Sequence, residues 1–162
     1  MIKAMFSPAG GISAEIMRSI GAAKSSVDIA AFSFTSTYIA NVIKRICKKP
    51  GMKVQIVFDK DFADKKTSKL DELLCLYGAK TRKVDLKHGS MHHKFIIVDN
   101  IMLFTGSYNF TNDAERNNYE NVIKTDIPEI VAAYREEFKR VWAIGRCPDL
   151  AAPSAWVVEG KQ

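Results

Sequence analysis

The amino-acid sequence predicts a single layered domain of the α/β class. A chain of 162 residues is long enough for one domain with a substantial hydrophobic core. Hydrophobic residues make up 47% of it and charged residues 26%, which is ordinary for a soluble globular protein. Segments of strand-like composition alternate with segments of helical periodicity, and this alternation is typical of a β-sheet covered by helices.

The first part of the chain predicts a helix, a strand and a second helix. Ser13 is expected to cap a helix over residues 13–23, in which apolar side chains recur at helical spacing. Residues 27–34 have the composition of a strand. Ser36 or Thr37 would cap the second helix, and the Pro-Gly pair that follows it would end it.

The second part predicts two further strands, a third helix, a β-hairpin and a final helix. Residues 54–58 read as a buried strand, and Gly78 ends a helix that is followed by a short strand at 81–84. Asp99-Asn100 is a plausible two-residue turn of a hairpin. A strand at residues 121–124 and a long helix opened by Pro128 complete the chain.

Polar residues at fixed spacing surround the predicted hairpin. In chain order they are His92, Lys94, Asp99, Gly106, Ser107, Asn109 and Glu120. Residues i and i+2 of a strand face the same way, so His92 and Lys94 project together. Ser107 and Asn109 share a face for the same reason, and Gly106 suits a bulge or a close backbone approach. The hairpin is therefore predicted to bring four polar side chains to one rim of the sheet.

Four neighbouring residues fit other roles. His93 adjoins the motif lysine and breaks the spacing, so we expect it to point to the other face in a structural role. His88 lies in a polar loop and reads as solvated. Asp99, at the turn, is better suited to hold backbone amides or a neighbouring cation than to take part in chemistry. Glu115 is the rival of Glu120, but we expect it on a short solvated helix.

The types of side chain in the motif suit hydrolysis of a phosphodiester. An imidazole can act as the nucleophile, while an ammonium and an amide neutralise the phosphate oxygens. Asp99 and Glu120 are the only carboxylates in the motif, so the sequence predicts no metal site and no cofactor. The three cysteines form neither a C-x-x-C pair nor a zinc-ligand spacing, and they favour a reducing compartment.

The charge of the chain suits a polyanionic partner. The net charge is +6 and the isoelectric point is about 9.2. Individual lysine pairs, such as Lys65-Lys66, read as solvated loops or helix ends. No secretory or membrane-spanning segment is evident, so we expect a cytoplasmic protein, or a periplasmic one if an export signal was trimmed. Four aromatic residues could stack on bases, although the first two fit a core better: Phe32, Phe34, Tyr38 and Tyr108.

The motif resembles the signature of the phospholipase D superfamily. The chain is most similar to the short bacterial endonucleases of that superfamily, which carry one His-Lys-Asp motif per chain and work as homodimers. The likeness runs over about residues 6–145 and includes Phe6-Ser7-Pro8 near its start. We therefore expect a nuclease domain at residues 1–145 and an irregular carboxy-terminal extension at residues 146–162.

The resemblance implies a fold, a mechanism and a quaternary structure. It implies a mixed β-sheet with helices on both faces and an active site at the two-fold axis of a homodimer. His92 would form a phosphohistidine, Lys94 and Asn109 would hold the phosphate with help from Ser107, and Glu120 would accept the Nδ1 proton of a His92. The implied function is a metal-independent endonuclease acting on DNA or RNA. A phospholipase D or cardiolipin-type lipid phosphodiesterase and a non-catalytic nucleic-acid-binding module are the alternatives.

Overall fold

The structure is a computed structural model that describes residues 1–64 and 70–147. Its strands are β1 (Ile2–Ser7), β2 (Ser26–Ala31), β3 (Lys53–Asp59), β4 (Lys80–Val84), β5 (Lys94–Val98), β6 (Met102–Gly106) and β7 (Glu120–Thr125). Its helices are α1 (Ile12–Gly21), α2 (Thr37–Ile46), α3 (Lys60–Ala63), α4 (Leu70–Leu76), α5 (Asn112–Arg116) and α6 (Pro128–Ile144). Within these two stretches, no helix is long and apolar enough to cross a membrane.

The strands form one mixed sheet. Their order is β1-β7-β6-β5-β2-β3-β4. β2, β3 and β4 are parallel to one another, whereas the other neighbouring pairs are antiparallel. The parallel pairs are joined through helices, because a parallel connection must cross over the sheet. The predicted α/β class and mixed sheet are confirmed.

Helices cover both faces of the sheet, as predicted. One core contains α1, α2 and α4 with one set of strand side chains, and the other contains α6 with the opposite set. β5 shows the division, since Ile96 and Val98 face the first core while Phe95 and Ile97 face the second. A strand buried on both faces must be apolar throughout, which explains why this segment was recognisable in the sequence.

The start of α1 differs from the prediction. Gly11, at φ 70°, occupies the N-cap position, and the helix begins at Ile12. The backbone N–H of Ser13 donates to the Glu115 carboxylate at 3.0 Å, so a side chain from a distant segment satisfies the helix terminus. Ser36 caps α2 by accepting from the N–H of Ile39. Of the two residues considered for that cap, the first is correct.

One strand boundary differs, and one strand was not predicted. The strand predicted at residues 27–34 ends at Ala31, because the chain then leaves the sheet towards α2. β1 was not predicted at all, and it pairs antiparallel with β7 from Ile2 opposite Thr125 to Ser7 opposite Glu120. β1 is therefore an edge strand of the sheet, and its last residue lies beside the start of β7.

The carboxy-terminal end of the described chain is tied to the sheet. Arg146 and Lys83 exchange backbone hydrogen bonds at 2.7 and 2.9 Å, so at least the first residue of the expected irregular extension is paired. Cys147 is exposed, and residues 148–162 of that extension lie outside the described residues, as does the Lys65-Lys66 pair.

Candidate active site

The polar motif lies at one end of the central strands. His92 immediately precedes β5 and Lys94 begins it, while Ser107 and Asn109 follow the end of β6 and Glu120 begins β7. β5, β6 and β7 are antiparallel neighbours, so the start of β5, the end of β6 and the start of β7 lie at the same end of the strands. The topology thus brings all five side chains to one rim.

Lys94 is a buried cation beside an exposed imidazole. It is 9% exposed, and its Nζ donates to the backbone carbonyl of His92 at 2.8 Å. The same Nζ lies 3.3 Å from Nδ1 of the His92 ring. Burial lowers the pKa of Lys94, and the nearby Glu120 carboxylate partly opposes this effect. The ammonium is therefore poorly solvated and gains from an additional anion at the rim.

Ser107 and Glu120 form a hydrogen-bonded pair. The Ser107 hydroxyl donates to Glu120 Oε2 and accepts from the backbone N–H of Asn121 at 3.1 Å. Asn118 also donates to Glu120, at 3.4 Å. Across the described residues, no hydrogen bond links Glu120 to His92 of its own chain.

Gly106 allows β6 and β7 to approach closely next to this pair. A Cβ at Gly106 would lie 2.0 Å from the Asn121 carbonyl oxygen, which is a severe clash. That carbonyl accepts the backbone N–H of Ser107 at 3.1 Å. The glycine thus sets the position of Ser107 relative to Glu120, and the close approach suggested by the sequence is present.

Asn109 lies between two buried aromatic residues. Its Oδ1 atom is buried and has no hydrogen-bond partner among the described residues. The next residue, Phe110, donates its N–H to Ser33 at 3.1 Å and so fixes this loop against the chain that follows β2. A buried amide oxygen without a donor costs about 1–3 kcal/mol. Because Oδ1 is an acceptor, a donor to a phosphate oxygen at this position must be the Nδ2 amide of Asn109.

Asp99 lies at the opposite end of β5 from Lys94. Its carboxylate accepts the backbone N–H groups of Lys24, Ser25 and Ser26, with distances of 2.7–3.1 Å. Burial opposes its ionisation, but these hydrogen bonds outweigh burial and hold the pKa of Asp99 below its usual value. Asp99 and Asn100 have φ angles of 53° and 59°, and Ile101 extends the connection to three residues. Asp99 anchors the turn and does not line the rim.

The weaker candidates lie away from the rim. His93 Nε2 is 2.7 Å from the carboxylate of Glu137 on α6, on the other face of the sheet from Lys94. The hydrogen bond from Arg140 and the contact with His93 outweigh burial and lower the pKa of Glu137 to about 2. Glu115 accepts from the Tyr108 hydroxyl at 2.9 Å as well as from α1, so it is not a solvated carboxylate. His88 is exposed in its loop.

Phe32, which the sequence offered as a stacking residue but favoured for the core, is a half-buried residue at the rim. Its ring centroid is 4.2 Å from that of His92. Phe34, two residues further along the chain, is 2% exposed and belongs to the core. Of the four candidate stacking residues, Tyr108 is also buried, whereas Tyr38 is 55% exposed. Both residues fell inside the strand predicted at 27–34, and only the observed end of β2 at Ala31 separates Phe32 from Phe34.

An open cavity of about 270 Å³ adjoins the nucleophile candidate. Its polar lining includes His92, His93, Lys94, Thr105, Tyr134 and Glu137. Among the residues that the structure describes, no three His, Cys, Asp or Glu side chains form a group that could hold a metal ion.

Comparisons with known proteins agree on one family. A family model described as "Cardiolipin synthase, PLD-like domain" matches residues 16–142. The chain is 38% identical over 127 residues to the mitochondrial cardiolipin hydrolase of Homo sapiens, covering 78% of this chain and 49% of that protein. The chain thus spans about half the length of this curated relative.

Two solved structures are similar over nearly their whole length. The crystal structure of Nuc from Salmonella typhimurium, a phospholipase D family member, has a TM-score of 0.83 and 31% identity. The match covers 91% of this chain and 97% of Nuc. NucT from Helicobacter pylori has a TM-score of 0.82 and 29% identity, with 91% of this chain and 100% of NucT covered.

Proposed function

This chain belongs to the phospholipase D-like family of phosphodiesterases, and we propose that it is an endonuclease that cleaves phosphodiester bonds of DNA or RNA. The observation that carries the proposal is the meeting of His92, Lys94, Ser107, Asn109 and Glu120 at one rim of a fold that matches Nuc and NucT over nearly their whole length. The net charge of +6 further favours a polyanionic substrate.

The first chemical step would use His92 as the nucleophile. Its Nε2 attacks phosphorus, the bond from phosphorus to the leaving oxygen breaks, and a phosphohistidine forms. Lys94 lies within reach of the same imidazole, so a phosphate bound at His92 contacts the ammonium as charge develops on its oxygens. Asn109 would add a donor to those oxygens. His92 of the partner subunit would protonate the leaving oxygen. It would then remove a proton from the water that attacks phosphorus, which breaks the bond from phosphorus to Nε2 and frees His92.

The position of Glu120 bears on the second imidazole. A nucleophilic Nε2 must be unprotonated, which places the ring proton on Nδ1, and a carboxylate acceptor stabilises that tautomer. Glu120 is bonded to Ser107 in its own chain, whereas the Lys94 ammonium lies 3.3 Å from Nδ1 and 3.5 Å from Nε2 of the same chain's His92, and no hydrogen bond among the described residues joins that ring to Glu120. We infer that Glu120 accepts the Nδ1 proton of an imidazole from another chain. His92 of the partner subunit is the simplest choice.

A composite site at a two-fold axis predicts a specific result when subunits are mixed. Reassociating equal amounts of wild-type and His92→Asn chains should leave about one quarter of the dimers with two His92 residues and therefore about one quarter of the activity. Independent subunits would leave about one half. Activity is measured after complete exchange, confirmed with a mass-tagged chain. A value near one half, or full activity from a stable monomer, contradicts the composite site.

Substrate and metal dependence can be tested together. We expect the purified protein to cleave plasmid, single-stranded DNA or RNA in excess EDTA, because Lys94 and Asn109 would neutralise the phosphate without a divalent ion. Added Mg²⁺ should leave the rate unchanged or lower it by screening the phosphate charge. Loss of cleavage in EDTA with recovery in Mg²⁺ would contradict the histidine mechanism.

A lipid phosphodiesterase is the second candidate. It is favoured by the 38% identity to the human mitochondrial cardiolipin hydrolase. The discriminating substrate is cardiolipin in mixed vesicles, assayed with the same preparation and in the same EDTA buffer. Cleavage of cardiolipin without cleavage of any nucleic acid would replace the nuclease proposal with the lipid one.

A further inference from the structure

We propose that Phe32 is a positioning residue that fixes the His92 imidazole and the Lys94 ammonium relative to each other. The inference rests on the proposed function, in which these two groups act on one phosphate. Phe32 follows β2 directly and is half-buried at the rim. Its ring centroid is 4.2 Å from that of His92, with 57° between the planes, and 4.8 Å from Lys94 Nζ. One aromatic ring therefore touches both groups.

Contact with Phe32 limits the orientation of the imidazole. His92 is exposed, and an exposed side chain without neighbours samples several rotamers. Here Phe32 packs against one part of the ring, and the Lys94 ammonium lies 3.3 Å from Nδ1 and 3.5 Å from Nε2. Nucleophilic attack on phosphorus requires a defined direction of approach, and small misplacements of reacting groups are costly in rate. A fixed imidazole is thus what this reaction needs.

The same ring supports the charge of Lys94. The ammonium is largely buried, and burial disfavours its charged form. The negative face of an aromatic ring attracts a cation within about 6 Å of the ring centroid, and more strongly where water is excluded. Phe32 therefore partly replaces the water that Lys94 has lost, without introducing an anion that would repel a phosphate.

Phe32 itself is held from two directions. Its N–H donates to the carbonyl of His93 at 3.0 Å, and its ring packs on Phe62 of α3 at 4.6 Å. The buried Asp59 carboxylate accepts the N–H of Phe62 at 3.2 Å and that of Met91 at 2.9 Å. Asp59 thus ties the helix that carries Phe62 to the loop that carries His92, which keeps the Phe32 ring in place.

These contacts separate positioning from base stacking. A base-stacking platform must present a free face to the substrate. The half-buried Phe32 ring is in contact with Phe62, His92 and Lys94, so much of the side chain already packs against this chain. The stacking role considered from the sequence is therefore not the one that its surroundings favour.

The test is kinetic and uses a substrate without nucleobases. Phe32→Leu should lower kcat by about tenfold on both bis(p-nitrophenyl) phosphate and nucleic acid, with KM changed less than about twofold. Phe32→Tyr keeps the ring and should retain most of the activity. Phe138→Leu is the matched control, since it removes a buried aromatic ring from the core on the other face of the sheet. It should leave kcat near the wild-type value.

A second measurement does not depend on turnover. In protein labelled at lysine Cε, NMR titration of Lys94, assigned with Lys94→Arg, should show a lower pKa in Phe32→Leu than in wild type, because burial remains while the aromatic face is lost. An unchanged Lys94 pKa together with an unchanged kcat overturns the inference. A higher KM on nucleic acid with an unchanged kcat also overturns it. Absence of cleavage by wild type would instead count against the proposed function. If Phe32→Leu does not fold, an upfield ring-current shift of the His92 imidazole protons in wild type supports the contact, and an unshifted resonance overturns the inference.

Discussion

Replacing His92 with Asn should lower kcat by at least about a thousandfold, because the variant removes the proposed nucleophile and, in a symmetric dimer, the proposed acid as well. The amide occupies a similar volume at an exposed position, so the fold should be retained. Affinity for nucleic acid should change little, since Lys94 and the net positive charge remain. Single-turnover cleavage and equilibrium binding, measured on the same preparation, check both parts of the expectation.

His93→Asn is the matched control for this experiment. It makes the same substitution at the adjacent position, where the imidazole contacts Glu137 on the other face of the sheet. The contact is partly exposed and is worth at most about 1 kcal/mol, so the rate should fall less than about tenfold. A comparable loss in both variants would mean that the wrong imidazole has been assigned to the chemistry.

Much of the fold could be predicted because local periodicity and burial agree along most of the chain. β5 is buried on both faces, and its apolar run therefore stands out in the sequence. β1 could not be recognised in this way. Met5 and Ser7 face inward, but Ile2 and Phe6 are 62% and 63% exposed, so the pattern of apolar residues does not match the pattern of burial.

Contacts between distant segments account for the other differences. The α1 cap was assigned to Ser13 on its local preference, yet the N–H of that residue is bound by Glu115, which is 102 positions away. The same contact gives Glu115 a structural role in place of the solvated one expected for it. No periodicity or spacing near Ser13 contains this information, because it depends on how α5 packs against the start of α1.

For the site as well, the sequence identifies the residues but not the contacts between them. The spacing of the motif identified which side chains meet at the rim, since antiparallel neighbours bring alternate ends of strands together. It did not indicate that Glu120 bonds to Ser107, or that Phe32 packs against His92. Those contacts depend on the backbone approach at Gly106 and on the path of the chain after β2, which tertiary packing determines.

Replacing Lys94 with Met should lower kcat by about a hundredfold to a thousandfold, because it removes one charged donor from the developing phosphate charge. Met has a similar length and no charge, and Lys94 is only 9% exposed, so the variant removes a buried cation without leaving a cavity. Burial of the ammonium lowers its pKa, so the charged form is costly in the free protein. A bound anion reduces that cost. Folding stability should therefore be unchanged or raised.

Orthovanadate and a charge-matched variant make this prediction specific to the transition state. Vanadate imitates the five-coordinate phosphorus, so Lys94→Met should weaken its binding by a factor similar to the loss in kcat/KM. Lys53→Met removes the same charge from an exposed position at the other end of the sheet and should alter only the salt dependence of nucleic-acid binding. Equal losses in the two variants would attribute the effect to net charge. Normal vanadate binding with a lost kcat would assign Lys94 to proton transfer instead of charge stabilisation.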